Sequence, residues 1–144
     1  MPEVMALRPE DRARWGELWQ GYLTFYKTAL PEARYAETWR RLMAGDGLYG
    51  FGAHVDGKLV GITHYLFHAS TWADDVCYLQ DLFADESVRG HGIGRALIQA
   101  VAVAAKARKA SRLYWLTQDS NATARLLYDR LASNRGFIRY DYNG

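Results

Sequence analysis

The sequence predicts a single mixed α/β (α+β) domain, and three observations support this prediction. Residues 48–68 read as two strands around Asp56-Gly57, a dipeptide that suits the tight turn of a β-hairpin. The apolar segment 76–84 then runs through a glycine-rich turn into an alanine-rich helix. Strand, helix and a further apolar segment in that order require a right-handed parallel crossover, whereas a hairpin pairs antiparallel. The predicted central sheet is therefore mixed.

The segments before the hairpin show helical spacing. A short first strand is expected over residues 4–8, and Pro9 suits the opening turn of a helix. Large apolar residues then recur every three or four positions, which predicts an amphipathic helix of about five turns. Its buried side would carry Trp15, Leu18, Trp19, Tyr22, Leu23 and Tyr26. A second helix is predicted from about Pro31 to Ala44, where a glycine-rich turn ends it.

The segments after the glycine-rich turn complete the fold. We expect a helix over residues 92–108, a buried strand over 112–116, and a helix capped by Ser120-Asn121 and ended by Gly136. Residues 137–142 read as a final strand. The predicted order is β-α-α-β-β-β-α-β-α-β, a central sheet flanked by about four helices. One domain, residues 1–144, accounts for the whole sequence.

Composition narrows the classes of function. Hydrophobic residues make up 49% of the chain, no apolar run approaches the ~18 residues of a bilayer span, and charges interrupt the N-terminal segment. We therefore expect a soluble, cytoplasmic protein with no membrane partner. The net charge of only +2 gives no reason to expect a nucleic-acid partner. The single cysteine, Cys77, lies in an apolar run and is expected to be a core residue rather than a nucleophile.

The glycine-rich turn before the alanine-rich helix predicts an anion site. A helix N-terminus presents unpaired N–H donors and the positive end of the helix dipole. The P-loop pattern is excluded because no Gly-Lys-Ser/Thr follows, and the dinucleotide fingerprint would need a glycine where Arg95 stands. The pattern that fits is Arg-x-x-Gly-x-Gly, formed by Arg89, Gly92 and Gly94.

This pattern resembles the pyrophosphate loop of the GNAT superfamily of N-acetyltransferases. The resemblance covers essentially the whole chain, because the predicted element order matches and Asn121 and Tyr128 stand at the Asn-x6-Tyr spacing of the family's last helix. The stretches "YLQDLFADESVRGHGIG" and "NATARLLY" look like the corresponding regions of diamine (spermidine/spermine) acetyltransferases. The resemblance implies the GNAT fold, an acyltransferase activity and acetyl-coenzyme A as cosubstrate, with no metal.

The resemblance also implies which residues bind the cofactor. Backbone groups of Leu82, Phe83 and Ala84 would contact the pantetheine arm, and Asn121 would touch the cofactor where the last helix begins. Without the resemblance, Asn121 reads as a plain helix cap. The pyrophosphate would be wrapped by Arg89, Gly90, His91, Gly92, Ile93, Gly94 and Arg95.

The resemblance also implies a catalytic role for Tyr128. Tyr128 corresponds to the tyrosine that donates a proton to the coenzyme A sulfur. Spacing alone would instead make it a core residue of an amphipathic helix. A phenol titrates near 10 and a thiol near 8.5, so Tyr128 could also steady the leaving sulfur by a hydrogen bond.

At the general base this sequence departs from the family pattern, because diamine acetyltransferases carry adjacent acids where this sequence has Gln80-Asp81. Neighbours on a strand face opposite sides, so Asp81 could take the Gln80 direction only if a bulge intervenes. Deprotonation could run through a water held by Gln80 or a backbone carbonyl. Asp81 could instead bind the cationic acceptor, or be structural as a turn cap or an arginine partner.

Acceptor residues are expected at the end of the first helix and on the hairpin. Tyr22 and Tyr26 lie late in the first helix, which borders the acceptor site in members of the family. His64 is a further candidate on the substrate side. On a strand His64 and His68 face the same way but lie ~13 Å apart, too far to share a metal ion.

The sequence therefore predicts an N-acetyltransferase that acts on a primary amine by direct attack in a ternary complex. A small or polyamine-like amine is the first expectation. Three alternatives stay open: a protein lysine or N-terminus, an amino acid, or a non-catalytic coenzyme A sensor. Aromatic residues make up 14% of the chain, and Trp72 and Tyr140 near expected surface segments suggest a homodimer.

Overall fold

The computed structural model describes residues 2–144 and contains one five-stranded sheet with four α-helices. The strands are β1 (Glu3–Ala6), β2 (Tyr49–Val55), β3 (Lys58–His68), β4 (Val76–Ala84) and β5 (Leu113–Tyr114). The helices are α1 (Arg12–Phe25), α2 (Glu32–Ala44), α3 (Ile93–Ala107) and α4 (Ala122–Leu131). Short 3₁₀ turns at Pro9–Asp11 and Glu86–Val88 lead into α1 and the glycine-rich turn.

The sheet is mixed, as predicted. Strands β1 to β4 pair antiparallel in chain order, and β5 joins β4 in parallel after the crossover through α3. The β2–β3 turn has φ values of 51° at Asp56 and 78° at Gly57, the left-handed conformation that the Asp-Gly pair predicts.

Two helical layers cover the sheet. On one face, α1 and α2 bury a cluster that includes Trp15, Trp19 and Ile62. On the other face, α3 packs Ile98 and Val101 against the sheet in a cluster that also contains Cys77 and Leu79. Burial raises the pKa of the Cys77 thiol to about 11, which confirms a core role rather than a nucleophilic one.

Strand β4 contains a bulge at Gln80. His64 of β3 pairs with Asp81, but the next residue, Tyr65, pairs with Leu79, so Gln80 has no opposite residue. Regular alternation after Leu79 would turn Gln80 toward α1 and Asp81 toward α3. The extra residue reverses this order, and Asp81 faces α1 while Gln80 is exposed.

The last predicted strand does not form. Residues 132–144 contain no strand, and Phe137 and Tyr142 are 88% and 95% exposed. Alternating aromatic residues give this segment β propensity, but a strand also needs a partner. The neighbouring β5 is only two residues long, shorter than the five expected, and offers little edge for pairing.

Two further observations concern membranes and metals. In residues 2–144 no helix is both long and apolar enough to cross a membrane. Over the same residues, no three side chains of His, Cys, Asp or Glu gather in a way that could hold a metal ion.

Gly61 fixes the start of α3 on the sheet, and its replacement should be costly. A Cβ at Gly61 would lie 2.6 Å from Ile93 Cγ2 and 3.2 Å from Leu97 Cδ1. We expect Gly61→Ala to lower the free energy of unfolding by about 1–3 kcal/mol, because both neighbours are buried. Urea titration measures the change. Gly16→Ala is the matched control, because its Cβ would meet only the flexible Arg12 guanidinium. Equal stability of Gly61→Ala and the unsubstituted protein would contradict this packing.

Candidate active site

A groove opens where β4 and β5 separate. Their parallel pairing consists of Cys77 with Leu113 and Tyr78 with Tyr114, and it ends there. Beyond Tyr78, one edge of β4 has no strand beside it among the described residues. The backbone of Leu82, Phe83 and Ala84 lies along this open edge, where an extended ligand can hydrogen-bond to it.

The glycine-rich turn stands at the end of this groove. Gly90 and Gly92 have φ values of 86° and 79°, and a Cβ added to either would meet no atom within 4 Å. The first helical N–H bond is made by Ala96 to the Gly92 carbonyl, so the N–H groups of Ile93, Gly94 and Arg95 precede it. The turn thus leaves open space in front of unpaired donors.

The side chains of this turn divide into anchors and exposed polar groups. Ile93 is buried against β3, which fixes the helix start. Arg89 lies over the Phe83 ring at 5.4 Å and donates from Nε to the Ala84 carbonyl at 3.3 Å. His91 and Arg95 are exposed. Backbone N–H groups with adjacent arginines are the donor set that a diphosphate requires, so these residues fit the pyrophosphate of coenzyme A.

Helix α4 borders the other side of the groove. Asn121 caps the helix, because its Oδ1 accepts from the Ala124 N–H at 3.4 Å while its Nδ2 donates to Thr117 Oγ1 at 3.4 Å. Tyr128 is half-buried, and its ring packs edge-on against Trp115 with centroids 5.5 Å apart. Leu127 reaches the turn, since its Cδ2 lies 3.4 Å from a Cβ built at Gly94.

Asp81 lies in a pocket lined by tyrosines on the α1 face. Its Oδ2 accepts from His64 Nδ1–H at 2.8 Å, so its partner is a histidine rather than an arginine or a turn. The rings of Tyr22 and Tyr26 stand 5.0 Å apart beside it. A carboxylate surrounded by aromatic faces is a favourable environment for an ammonium group.

The pKa values of the tyrosines report this arrangement. The pKa of Tyr22 is strongly raised, first by burial and then by the charge of Asp81 and a hydrogen bond to that carboxylate. Burial and the charge of Asp81 raise the pKa of Tyr26. Burial and then Tyr26 raise the pKa of Tyr128. The three phenols are therefore protonated donors at neutral pH; Tyr22 and Tyr26 lie beside Asp81, and Tyr26 is near enough to Tyr128 to affect its pKa.

The structure brings together most of the residues predicted from sequence. Tyr22, Tyr26, Asp81 and Tyr128 converge across the groove. Gln80 is exposed at the bulge, and His64 is buried beneath Asp81 instead of lining the pocket.

The sequence did not identify two residues as neighbours of this pocket. Tyr78 also faces Asp81, whose charge contributes to raising the pKa of Tyr78 after burial and Tyr114. Trp15 donates its indole N–H to His64. Helical spacing marks Trp15 as a core residue, but no sequence pattern reveals its polar partner.

Comparison with known sequences identifies the family. A profile of the acetyltransferase (GNAT) family matches residues 13–132, which span most of the chain. The D-amino-acid N-acetyltransferase HPA3 of Saccharomyces cerevisiae is 33% identical over 146 aligned positions, covering 98% of this chain and 90% of the relative. Thialysine N-epsilon-acetyltransferase of Caenorhabditis elegans is 23% identical, covering 99% and 92%.

Solved structures show the same fold. Ribosomal-protein-alanine N-acetyltransferase from Brucella melitensis biovar Abortus superposes with a TM-score of 0.83 at 24% identity, covering 100% of this chain and 99% of the other. The aminoglycoside acetyltransferase AAC(6')-Iy, in complex with a bisubstrate analogue, gives a TM-score of 0.87 at 17% identity, covering 100% and 98%. With the family match and the HPA3 similarity, the chain belongs to the GNAT family and is an acetyl-coenzyme A-dependent N-acetyltransferase.

Proposed function

We propose that this enzyme transfers the acetyl group of acetyl-coenzyme A to the primary amine of a small molecule, by direct attack in a ternary complex. The observation that carries the proposal is the bulge at Gln80, which turns Asp81 into the tyrosine-lined pocket beside the open edge of β4. An ammonium group held by Asp81 lies at the groove that the cofactor's pantetheine arm would follow.

Asp81 binds the acceptor rather than serving as a strong base. A carboxylate is a far weaker base than an alkylamine, whereas an alkylammonium near 10.4 loses its proton to bulk solvent at pH 7 at a cost of about 5 kcal/mol. The proton therefore passes through water at the open end of the bulge, where Gln80 is exposed, to hydroxide or buffer base in the solvent. The neutral amine nitrogen then attacks the thioester carbonyl carbon, which forms the C–N bond.

The leaving sulfur is assisted by Tyr128. Collapse of the tetrahedral intermediate breaks the C–S bond and releases coenzyme A thiolate, which needs a hydrogen-bond donor. The thiolate finally takes up one proton, which balances the N–H proton that the attacking nitrogen loses as the amide forms. The pKa of Tyr128 is raised, first by burial, so its hydroxyl is protonated throughout the neutral range. Tyr128 therefore acts first as a hydrogen-bond donor to the sulfur, and backbone N–H groups near Leu82 serve the developing oxyanion.

Two acceptor classes compete. The resemblance to diamine acetyltransferases favours a polyamine-like amine. The 33% identity to a D-amino-acid N-acetyltransferase favours an amino acid, whose carboxylate would need a cation near Asp81. The pKa of Tyr78 is raised overall, and the charge of Arg139 offsets part of that rise, so Arg139 lies near the pocket and could supply that cation.

An amine panel tests the activity and the acceptor class together. Polyamines, D- and L-amino acids and lysine peptides are pooled with acetyl-coenzyme A, and mass spectrometry follows acetylation with and without the enzyme. We expect one class to gain an acetyl group, and Asp81→Asn to lose at least about tenfold of that activity. Asp74→Asn, in an exposed loop, is the control. Cofactor binding without acetylation of any amine would favour the sensor alternative.

The glycine-rich turn should lose cofactor binding when a negative group is added. We expect Gly92→Asp to weaken acetyl-coenzyme A binding at least about 100-fold, because a carboxylate and a pyrophosphate repel each other in the same space. Isothermal titration calorimetry measures the affinity. Gly57→Asp is matched in φ, 78° against 79°, and in free space, but lies in the distant β2–β3 turn. Unchanged affinity in Gly92→Asp would show that the turn holds something else.

Tyr128→Phe should separate chemistry from binding. We expect kcat to fall about 100-fold, the order typical of a lost proton donor, with little change in acetyl-coenzyme A affinity. Steady-state kinetics and calorimetry measure the two quantities. Tyr142→Phe, at an exposed position, is the control. An unchanged kcat would remove Tyr128 from the reaction.

A homodimer and a cytoplasmic location remain proposals from the sequence. Trp72 is exposed, and so are Tyr140 and the other aromatic residues of segment 137–142, which supports self-association through these exposed side chains. Light scattering coupled to size-exclusion chromatography measures the oligomeric state, and a monomer at all concentrations would rule the dimer out.

A further inference from the structure

A buried chain of hydrogen bonds lies behind Asp81, outside the reacting groups. Trp15 Nε1–H donates to His64 Nε2 at 2.9 Å, and His64 Nδ1–H donates to Asp81 Oδ2 at 2.8 Å. The Trp15 residue is 0% exposed and His64 is 3% exposed. The chain therefore runs from α1 through β3 to β4 without access to solvent at its middle member.

The indole fixes the protonation state of His64. An indole N–H is only a donor, so His64 Nε2 must present its lone pair to Trp15. The single proton of the neutral imidazole is then on Nδ1, where it is donated to Asp81. A second proton on Nε2 would point two N–H groups at each other, so Trp15 opposes the imidazolium form.

The groups around this chain come from every packed element. Tyr22 and Tyr26 of α1 and Tyr78 of β4 face Asp81 as neutral phenols. Tyr35 of α2 packs against Trp15 and Trp19 beside the imidazole. Arg12 of α1 lies over the Trp15 ring at 5.3 Å and is paired with Glu32 of α2. The charged Arg139 is close to Tyr78 and is also paired with Asp141. Asp81 is the carboxylate that contacts His64.

We propose that Trp15 and His64 are positioning residues that keep Asp81 aimed at the acceptor with its full negative charge. The inference rests on the proposed function, in which Asp81 binds the acceptor ammonium. A neutral imidazole gives Asp81 one fixed hydrogen bond and leaves its charge unopposed. An imidazolium would be an internal counter-ion that competes with the substrate. His64 is neither a general base nor a proton relay, because Trp15 occupies its second nitrogen.

Nuclear magnetic resonance tests the protonation state without any need for activity. The enzyme contains four histidines, so ¹⁵N labelling of histidine gives few signals, and His64→Asn identifies the one from His64. We expect the His64 signals to show a proton on Nδ1 and none on Nε2, because the Trp15 N–H donates to Nε2. A proton on Nε2 overturns the proposal even if the enzyme acetylates amines.

Removal of the indole donor should release His64 from its single tautomer. In Trp15→Phe we expect a share of His64 to carry a proton on Nε2 and the KM for the amine to rise about threefold or more, because Nε2 then has no donor and the bond from Nδ1 to Asp81 is no longer fixed. Trp19→Phe is the matched control, since Trp19 is 6% exposed, stacks on Trp15 at 5.1 Å and has no partner for its N–H among the described residues. Equal His64 tautomers and equal KM values for the amine in the two variants overturn the proposal.

Variants of His64 separate positioning from packing. His64→Asn keeps an amide N–H near the Nδ1 position, whereas His64→Leu removes the donor to Asp81. We expect His64→Leu to raise the KM for the amine about tenfold or more with unchanged acetyl-coenzyme A affinity, and His64→Asn to restore most of that loss. Equal KM values in His64→Leu and the unsubstituted enzyme contradict the positioning role. Loss of amine binding in Asp81→Asn but not in His64→Leu rejects this inference while leaving the proposed function intact.

Discussion

The bulge at Gln80 is the constraint on which the site depends. One extra residue in β4 reverses the alternation of side chains after Leu79, which turns Asp81 toward α1. The same strand loses its β5 partner after Tyr78, so its backbone edge opens as its acidic side chain turns inward. Under the proposed function, a single strand would offer backbone to an extended cofactor on its edge and a carboxylate to an amine on its face.

Burial gives this arrangement its chemical character. Tyr22, Tyr26 and Tyr128 all have raised pKa values, chiefly because they are buried, and they line the path from the Asp81 pocket to α4. Phenols that remain protonated can donate to a leaving sulfur without adding negative charge near Asp81. Below the pocket, Trp15 and His64 also add no charge. The Trp15 N–H donates to His64, and the His64 N–H donates to Asp81.

Much of the fold could be predicted from sequence because local rules determine it. The Asp56-Gly57 turn, the aromatic spacing of α1 and the Gly92 helix start each follow from a few adjacent residues. From the sequence, a bulge could be stated only as the condition under which Asp81 takes the Gln80 direction. Its presence depends on the register between β4 and β3, which local residues do not determine. The segment 137–142 reads as a strand, yet its pairing depends on an edge that local residues do not encode. The His64 partners were missed because Trp15 lies 49 positions away along the chain.

The central claim is that the opening between β4 and β5 joins the cofactor to the Asp81 pocket. A crystal structure of the enzyme with coenzyme A tests it most directly. We expect the pantetheine arm along Leu82, Phe83 and Ala84, with the sulfur beside Tyr128 and a clear path to Asp81. A sulfur that lies away from Tyr128, or is separated from Asp81 by closed sheet, would contradict the account.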